Sequence, residues 1–295
     1  MNCNLPKITY PTLRTLLLVK IYEAICRKSD VQVANRAIDD PNSEPNPPDF
    51  ELFRQKHVLK QVKNQTSVAV YQSSITLQLG AKSTQTRKDI AYQVAQFFQT
   101  SPFNPSEGDI EKILLRDLTV SASEAGQLRF EFGDLAIAHW LQMVLRNSPL
   151  VRDSNSAFRL SGELSENSQI FFCQYSYARC AAILRLINPS DHTDQTVEIG
   201  AVLWLRNGNL LLNQERSLVA QIVRTLDEWE DGTALKSAIA LSQAFQTFYQ
   251  TCQIVKYDEI DRSIAQCRLA LVMITHWLLR QLLEQGLSVL APETL

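Results

Sequence analysis

Two side chains in the stretch "FFCQYSYARCAAILRL", residues 171–186, could do chemistry together: Tyr175 and Arg179. Four positions apart, they stand one turn apart on a helix. A tyrosine ring can stack on an unstacked base, and a guanidinium beside it can pair with a phosphate or a base edge. On spacing alone the simpler alternative is a ring lying over the helix surface and an arginine in a structural ion pair. Gln174, Tyr175 and Arg179 fall away from a stripe formed by Tyr177, Cys180, Ala181, Leu184 and Ile187. The three- and four-residue intervals of that stripe mark it as the core side. Ala178, Ala181 and Ala182 are small enough to let a neighbouring helix approach closely.

A second feature is electrostatic. Residues 52–88 hold Arg54, Lys56, Lys60, Lys63, Lys82, Arg87 and Lys88 and no acid. The net charge is only −2, which argues against indiscriminate nucleic-acid binding. A local basic island could still hold a run of phosphates; the alternative is a solvated face that happens to be basic. Catalysis has no comparable support. No P-loop, nucleophile elbow or HExxH pattern occurs. "DEWED" at 227–231 reads as a solvated helix end and not as a cation site. The six cysteines include no CxxC pair and the four histidines do not cluster with them. That predicts no metal, no cofactor and no disulfide framework, with buried, reduced thiols in a cytoplasmic protein. His276 and Trp277 read as core or edge residues, and Trp204 and Trp229 as packing anchors.

The elements that must position these residues can be read from pattern. At 295 residues, 45% hydrophobic and 20% charged, the chain can bury the cores of two domains. Nine glycines are few for this length, which favours helix. "LRTLLLVKIYEAICRK" carries Arg14, Lys20 and Glu23 and predicts an amphipathic helix, not a signal peptide. No apolar run approaches the roughly 18 residues that span a bilayer. Four prolines within residues 41–48 predict a loop. "SVAVYQSSITLQLG" alternates at Val68 and Val70 and again at Ile75, Leu77 and Leu79, which predicts strand or strand-turn-strand. "TRKDIAYQVAQFFQT" predicts a helix capped by Thr86 with Asp89 answering the amide of the cap, buried along Ile90, Val94 and Phe97 or Phe98. "GQLRFEF" predicts a half-buried strand. Residues 148–168 turn polar, and beyond them four amphipathic segments predict a helical bundle.

The segment "QYSYARCAAILRL" resembles the opening helix of the DALR anticodon-binding domain of arginyl-tRNA synthetases, whose pattern is Q-Y-x-H-A-R followed by a small-residue helix. Gln174, Tyr175, Ala178 and Arg179 match it, and Tyr177 stands where the family has histidine. "ALSQAFQTFYQTCQI" resembles the family's segment with Phe and Tyr three or four residues apart before a loop. The last helix and tail resemble the family's through Arg268-Leu269, Gly286-Leu287 and Pro292-Glu293, although the family tail ends Pro-Glu-Arg-Met and this one Pro-Glu-Thr-Leu. In the first half, "VYQSSITLQLGAK" resembles the Y-Q-x-N stretch of the synthetases' N-terminal additional domain. Tyr71 and Gln72 match, and Ser74 replaces the asparagine.

The resemblance covers residues 58–145 and 168–295. It implies an α+β N-terminal domain over 1–147, a linker over 148–168 and an all-α DALR bundle over 169–295. It implies tRNA as a partner, arginine tRNA being the natural candidate. The contacts it implies are Gln174, Tyr175, Tyr177 and Arg179 on the bundle, and Tyr71, Gln72, Ser74, Lys82, Arg87 and Lys88 on the first domain. In the synthetases a class I catalytic domain lies between these pieces. Here the interval is short and polar, and none of His57, His139, His192 and His276 has a second histidine within three residues, as a HIGH-like motif needs. No KMSK-like loop occurs, and so short an interval cannot hold a nucleotide-binding α/β core. The expectation is a non-catalytic tRNA adaptor, chaperone or regulator. It would serve a protein partner such as a tRNA-modifying enzyme or a synthetase, without a membrane. A second expectation is a protein-interaction scaffold that kept the fold and lost the RNA, which the acidic second half, Ser74, Tyr177 and the altered tail favour.

Overall fold

The computed structural model describes residues 12–36, 59–62, 67–80, 86–100, 109–148, 167–187, 202–206, 209–210, 213–229, 233–254 and 262–294. The proline-rich stretch, Lys82 and all but the ends of 148–168 lie outside these residues, as do Arg54, Lys56 and Lys63. The chain divides into two compact units, Pro11–Ala136 and a second that begins at Ile137.

The first unit is α+β. Helix α1 is Leu13–Arg36, opened by Thr12, whose hydroxyl accepts the Thr15 amide at 3.1 Å. The strands are β1 Leu59–Gln61, β2 Ala69–Ser73, β3 Leu118–Ala122 and β4 Leu128–Phe132. They form one antiparallel sheet in the order β1-β2-β4-β3. Strand alternation sets its faces: Leu128, Phe130 and Phe132 are fully buried, while Arg129 and Glu131 are only partly so. Helices α2 Ile75–Gly80, α3 Arg87–Thr100 and α4 Asp109–Arg116 complete the unit, with α3 packed on α1, α2 and β3.

Thr86 opens α3 as expected: its hydroxyl accepts the Asp89 amide at 3.2 Å and donates to Asp89 Oδ2 at 2.5 Å. Asp89 thus answers the hydroxyl, where the sequence pointed to the amide of the cap. The strand reading of Ile75, Leu77 and Leu79 is corrected, because these residues lie in α2. Ser73 Oγ accepts the Ile75 amide at 3.3 Å and Ser74 O accepts the Leu77 amide at 3.0 Å, so the chain turns helical where β2 ends. Thr76 then donates its hydroxyl to Gly126 O, in the turn between β3 and β4. Gly126 sits at φ 80° with its α-carbon against Arg87, where an added Cβ would come within 2.9 Å of Arg87 Cβ.

The second unit is helical apart from a small ribbon, β5 Leu205–Arg206 with β6 Asn209–Leu210. Helix α5, Asp134–Asn147, contains the division between the units. The bundle helices are α6 Ser168–Ile187, α7 Asn213–Asp227, α8 Ala234–Thr251 and α9 Arg262–Gln281, ending in a π turn Leu282–Gly286. Helix α8 packs on α6, α7, α9 and the π turn. It can be central because Ala238, Leu241, Ser242, Phe245 and Phe248 occupy its inward positions, all of them fully buried. Trp204 and Trp229 are anchors, as expected: Trp204 donates Nε1 to Gln142 Oε1 at 3.0 Å, and Trp229 stacks on Trp277.

An ion pair lies inside the bundle. Arg268 Nε donates to Glu215 Oε1 at 2.6 Å, with the two side chains 10% and 1% exposed. A second Arg268 nitrogen donates to Gln253 O at 2.6 Å and so holds the chain just past α8. The four described cysteines, Cys173, Cys180, Cys252 and Cys267, are free and buried. Burial raises each of their thiol pKa values, that of Cys267 to about 12. Among the described residues no helix is long and apolar enough to cross a membrane, and no cluster of ligands could hold a metal.

Candidate nucleic-acid interface

Helix α6 carries the sequence's strongest signal, and the structure settles which sides of it are covered. Tyr177, Cys180 and Ala181 are buried, as the apolar stripe requires, and Leu184 is half-buried. Gln174 is fully buried, which corrects its expected outward position. The segment after the π turn returns along this side of α6, and Gln174 Nε2 donates to Leu290 O at 2.9 Å. Arg185 donates to Glu293 O at 2.8 Å, and Gln246 of α8 donates to Ser176 Oγ at 3.1 Å. A buried amide must find such a partner, and here the C-terminal segment supplies it. Gln174 therefore shapes the surface from beneath.

Tyr177 is buried as well, stacked on His276 at 4.4 Å between centroids with the rings 15° apart. Burial raises its phenol pKa and lowers that of the His276 imidazole to about 4, Arg280 adding to the second effect. As a direct RNA contact Tyr177 is corrected: its ring is closed off by the last helix.

Tyr175 and Arg179 remain on the open side. The guanidinium carbon of Arg179 lies 5.5 Å from the centroid of Tyr175 and 4.8 Å from that of Tyr249 on α8. Two rings thus fix the arginine by cation–π attraction. Its Nε is buried without a hydrogen-bond partner, and no carboxylate among the described residues pairs with it. The structural ion pair allowed by spacing alone does not occur there. A guanidinium positioned by two rings and paired to no carboxylate, next to a 37% exposed tyrosine, is suited to an acceptor-rich planar ligand. Tyr249 was not singled out from the sequence. Its signal was the aromatic spacing in "AFQTFYQTC".

The first unit brings together fewer of the expected contacts. Tyr71 is fully buried, edge-on to Phe132 with centroids 6.1 Å apart, so its expected RNA contact is corrected. Ser74 is half-buried and Gln72 is exposed. Register sets Gln72 opposite both Lys60 on β1 and Arg129 on β4, so two basic side chains flank it across the sheet. Arg129 is itself paired with Glu131 at 3.2 Å. Arg87 and Lys88 are exposed at the start of α3. Lys88 forms an ion pair with Glu124 of the β3–β4 turn, which raises the lysine pKa and lowers that of the carboxylate. Part of the basic island is thus neutralised by an acid distant in sequence.

The bundle thus opens on a tyrosine–arginine face and closes with a strap over the same helix. The DALR anticodon binding domain family matches residues 173–295. About half of the chain is similar in sequence to arginine–tRNA ligases. The arginine–tRNA ligase of Chlorobaculum tepidum is 27% identical over 152 residues, 49% of this chain and 26% of the relative. That of Synechococcus sp. (strain JA-3-3Ab) is 23% identical over 164 residues, 54% and 27% of the two. That of Pelodictyon phaeoclathratiforme is 30% identical over 159 residues, 49% and 26%. The chain spans about a quarter of the length of these curated relatives. No solved structure matches it.

Proposed function

We propose that this chain is a non-catalytic tRNA-binding protein of the cytoplasm that grips the single-stranded part of a tRNA through Tyr175, Arg179 and Tyr249. It presents that tRNA to, or withholds it from, a partner enzyme. The observation that carries the reading is the Arg179 guanidinium, held against two rings and paired to no carboxylate among the described residues, inside a region that matches the anticodon-binding family. The non-catalytic part rests on the short interval between α5 and α6 and on the lack of HIGH- and KMSK-like motifs in the sequence. Arginine tRNA is the first candidate because the relatives are arginine–tRNA ligases.

The test is a gel-shift titration with total tRNA and with arginine tRNA at two salt concentrations. Binding should weaken steeply with salt, since phosphate contacts release counterions. Arg179→Ala should weaken it about tenfold or more, the scale of a charge-assisted hydrogen bond. Absence of binding at the lower salt would overturn the reading. It would favour the scaffold alternative, which gains support from Lys88 being paired to Glu124 and Tyr71 being buried.

A further inference from the structure

Two side-chain pairs join helices α6 and α8 in step. Gln246 Nε2 of α8 donates to Ser176 Oγ of α6 at 3.1 Å. Three positions further along each helix, the centroid of the Tyr249 ring lies 4.8 Å from the Arg179 guanidinium carbon. Equal steps in the same sense mean that the two helices run parallel here, each advancing about 4.5 Å between the pairs at about 1.5 Å per residue. Tyr175 belongs to the same helix as Arg179 and moves with it. Tyr249 does not, so its meeting with the guanidinium depends on how α8 is set along and around α6. A slip of one residue would carry it about 1.5 Å along the axis and turn it about 100° around it.

Apolar packing does not fix that setting, because hydrophobic attraction is non-directional. Most of the inward side of α8 is of that kind, with Ala238, Leu241, Phe245 and Phe248 fully buried. A hydrogen bond, by contrast, is restricted in both distance and angle. Ser176 is fully buried and Gln246 half-buried, so a slipped helix would leave the serine hydroxyl enclosed without its partner. Arg179 has no carboxylate among the described residues to position it independently of the rings.

We infer that Gln246 and Ser176 are positioning residues, whose bond locks α8 to α6 at the register that keeps Tyr249 on the Arg179 guanidinium. They act through Arg179 and Tyr249. The inference deepens the proposed tRNA-binding reading, and its ligand measurement rests on that reading; the placing of the guanidinium does not.

The experiment follows the Arg179 Nε–H resonance in the full chain labelled with nitrogen-15, identified by its loss in Arg179→Lys. A ring facing that group displaces its resonance, and Tyr249→Leu gives the position without the α8 ring. Gln246→Met keeps the length of the side chain and removes the bond, and it should move the resonance most of the way to that position. Ser176→Ala should do the same. The double variant should go no further than either, because both remove one shared bond. Circular dichroism checks that the bundle is intact. Total tRNA should bind Gln246→Met about two- to tenfold more weakly, the range of one neutral hydrogen bond. A resonance that keeps its parental position in both single variants, whatever happens to their melting temperature, would overturn the inference and leave the bond as a stability element of the bundle. Displacements that add in the double variant would overturn it too. Absence of tRNA binding by the parental chain would remove the proposed function instead, and the resonance alone would then decide the positioning.

Discussion

Replacing Glu215 with alanine should destabilise the helical unit far more than a surface change. The carboxylate accepts from Arg268 Nε at 2.6 Å, and both side chains are almost wholly enclosed. Removing it strands a guanidinium in the bundle, still tied to Gln253 O at 2.6 Å and therefore unable to turn outward freely. Breaking one side of a buried pair costs about 3–5 kcal/mol. In a unit of this size each kcal/mol moves the midpoint by about 2–4 °C, so the melting temperature should fall by roughly 6–20 °C. Calorimetric melts and urea titrations of the full chain measure it. Glu215→Leu combined with Arg268→Met should recover much of the loss, because an apolar pair carries no desolvation penalty. The effect should also reach the Tyr175–Arg179 face, since Arg268 holds the chain just beyond the helix that carries Tyr249. A Glu215→Ala midpoint within about 2 °C of the parent would refute the assignment of that energy to the pair.

Acid should weaken the fold through His276. Burial and the nearby Arg280 hold its folded pKa at about 4, against an ordinary 6.5. Above the ordinary value neither state is protonated; between the two values only the unfolded chain gains the proton, so stability falls as pH drops through that window. The loss should approach about 3 kcal/mol at its lower end. His276→Phe keeps a ring on Tyr177 and should flatten this part of the profile in pH-dependent urea titrations. Gly126→Ala should cost the first unit about 1–3 kcal/mol, because alanine must adopt a left-handed conformation and its Cβ would press on Arg87. A thermal melt of the unit's β signal reads it directly.

Local chemistry was legible in the sequence where the partners are near in the chain. Thr86 and Asp89 close their cap within one turn, and the alternation in "LRFEF" gives the faces of β4. Residues 75–80 were misread because their alternating apolar positions also fit a short helix, and the deciding bonds come from Ser73 and from Gly126, fifty positions on. Gln174 was placed outward because helical spacing shows one apolar stripe and cannot show a second cover brought by the C-terminal strap. Tyr175 and Arg179 were found by spacing. Tyr249 completes the grip from another helix, so only packing reveals it. The basic island looked unopposed in sequence because Glu124 reaches Lys88 across the fold.

The strap has a consequence for how the face comes into being. Gln174 and Arg185 are held by carbonyls 116 and 108 positions downstream. Such distant closures are formed late, after the intervening helices have been ordered. On the ribosome, α6 emerges with its aromatic residues long before the residues that brace its other side. A polypeptide interrupted within α9 would display the rings on an unbraced helix, so the face is complete only once residues 290–293 have been made.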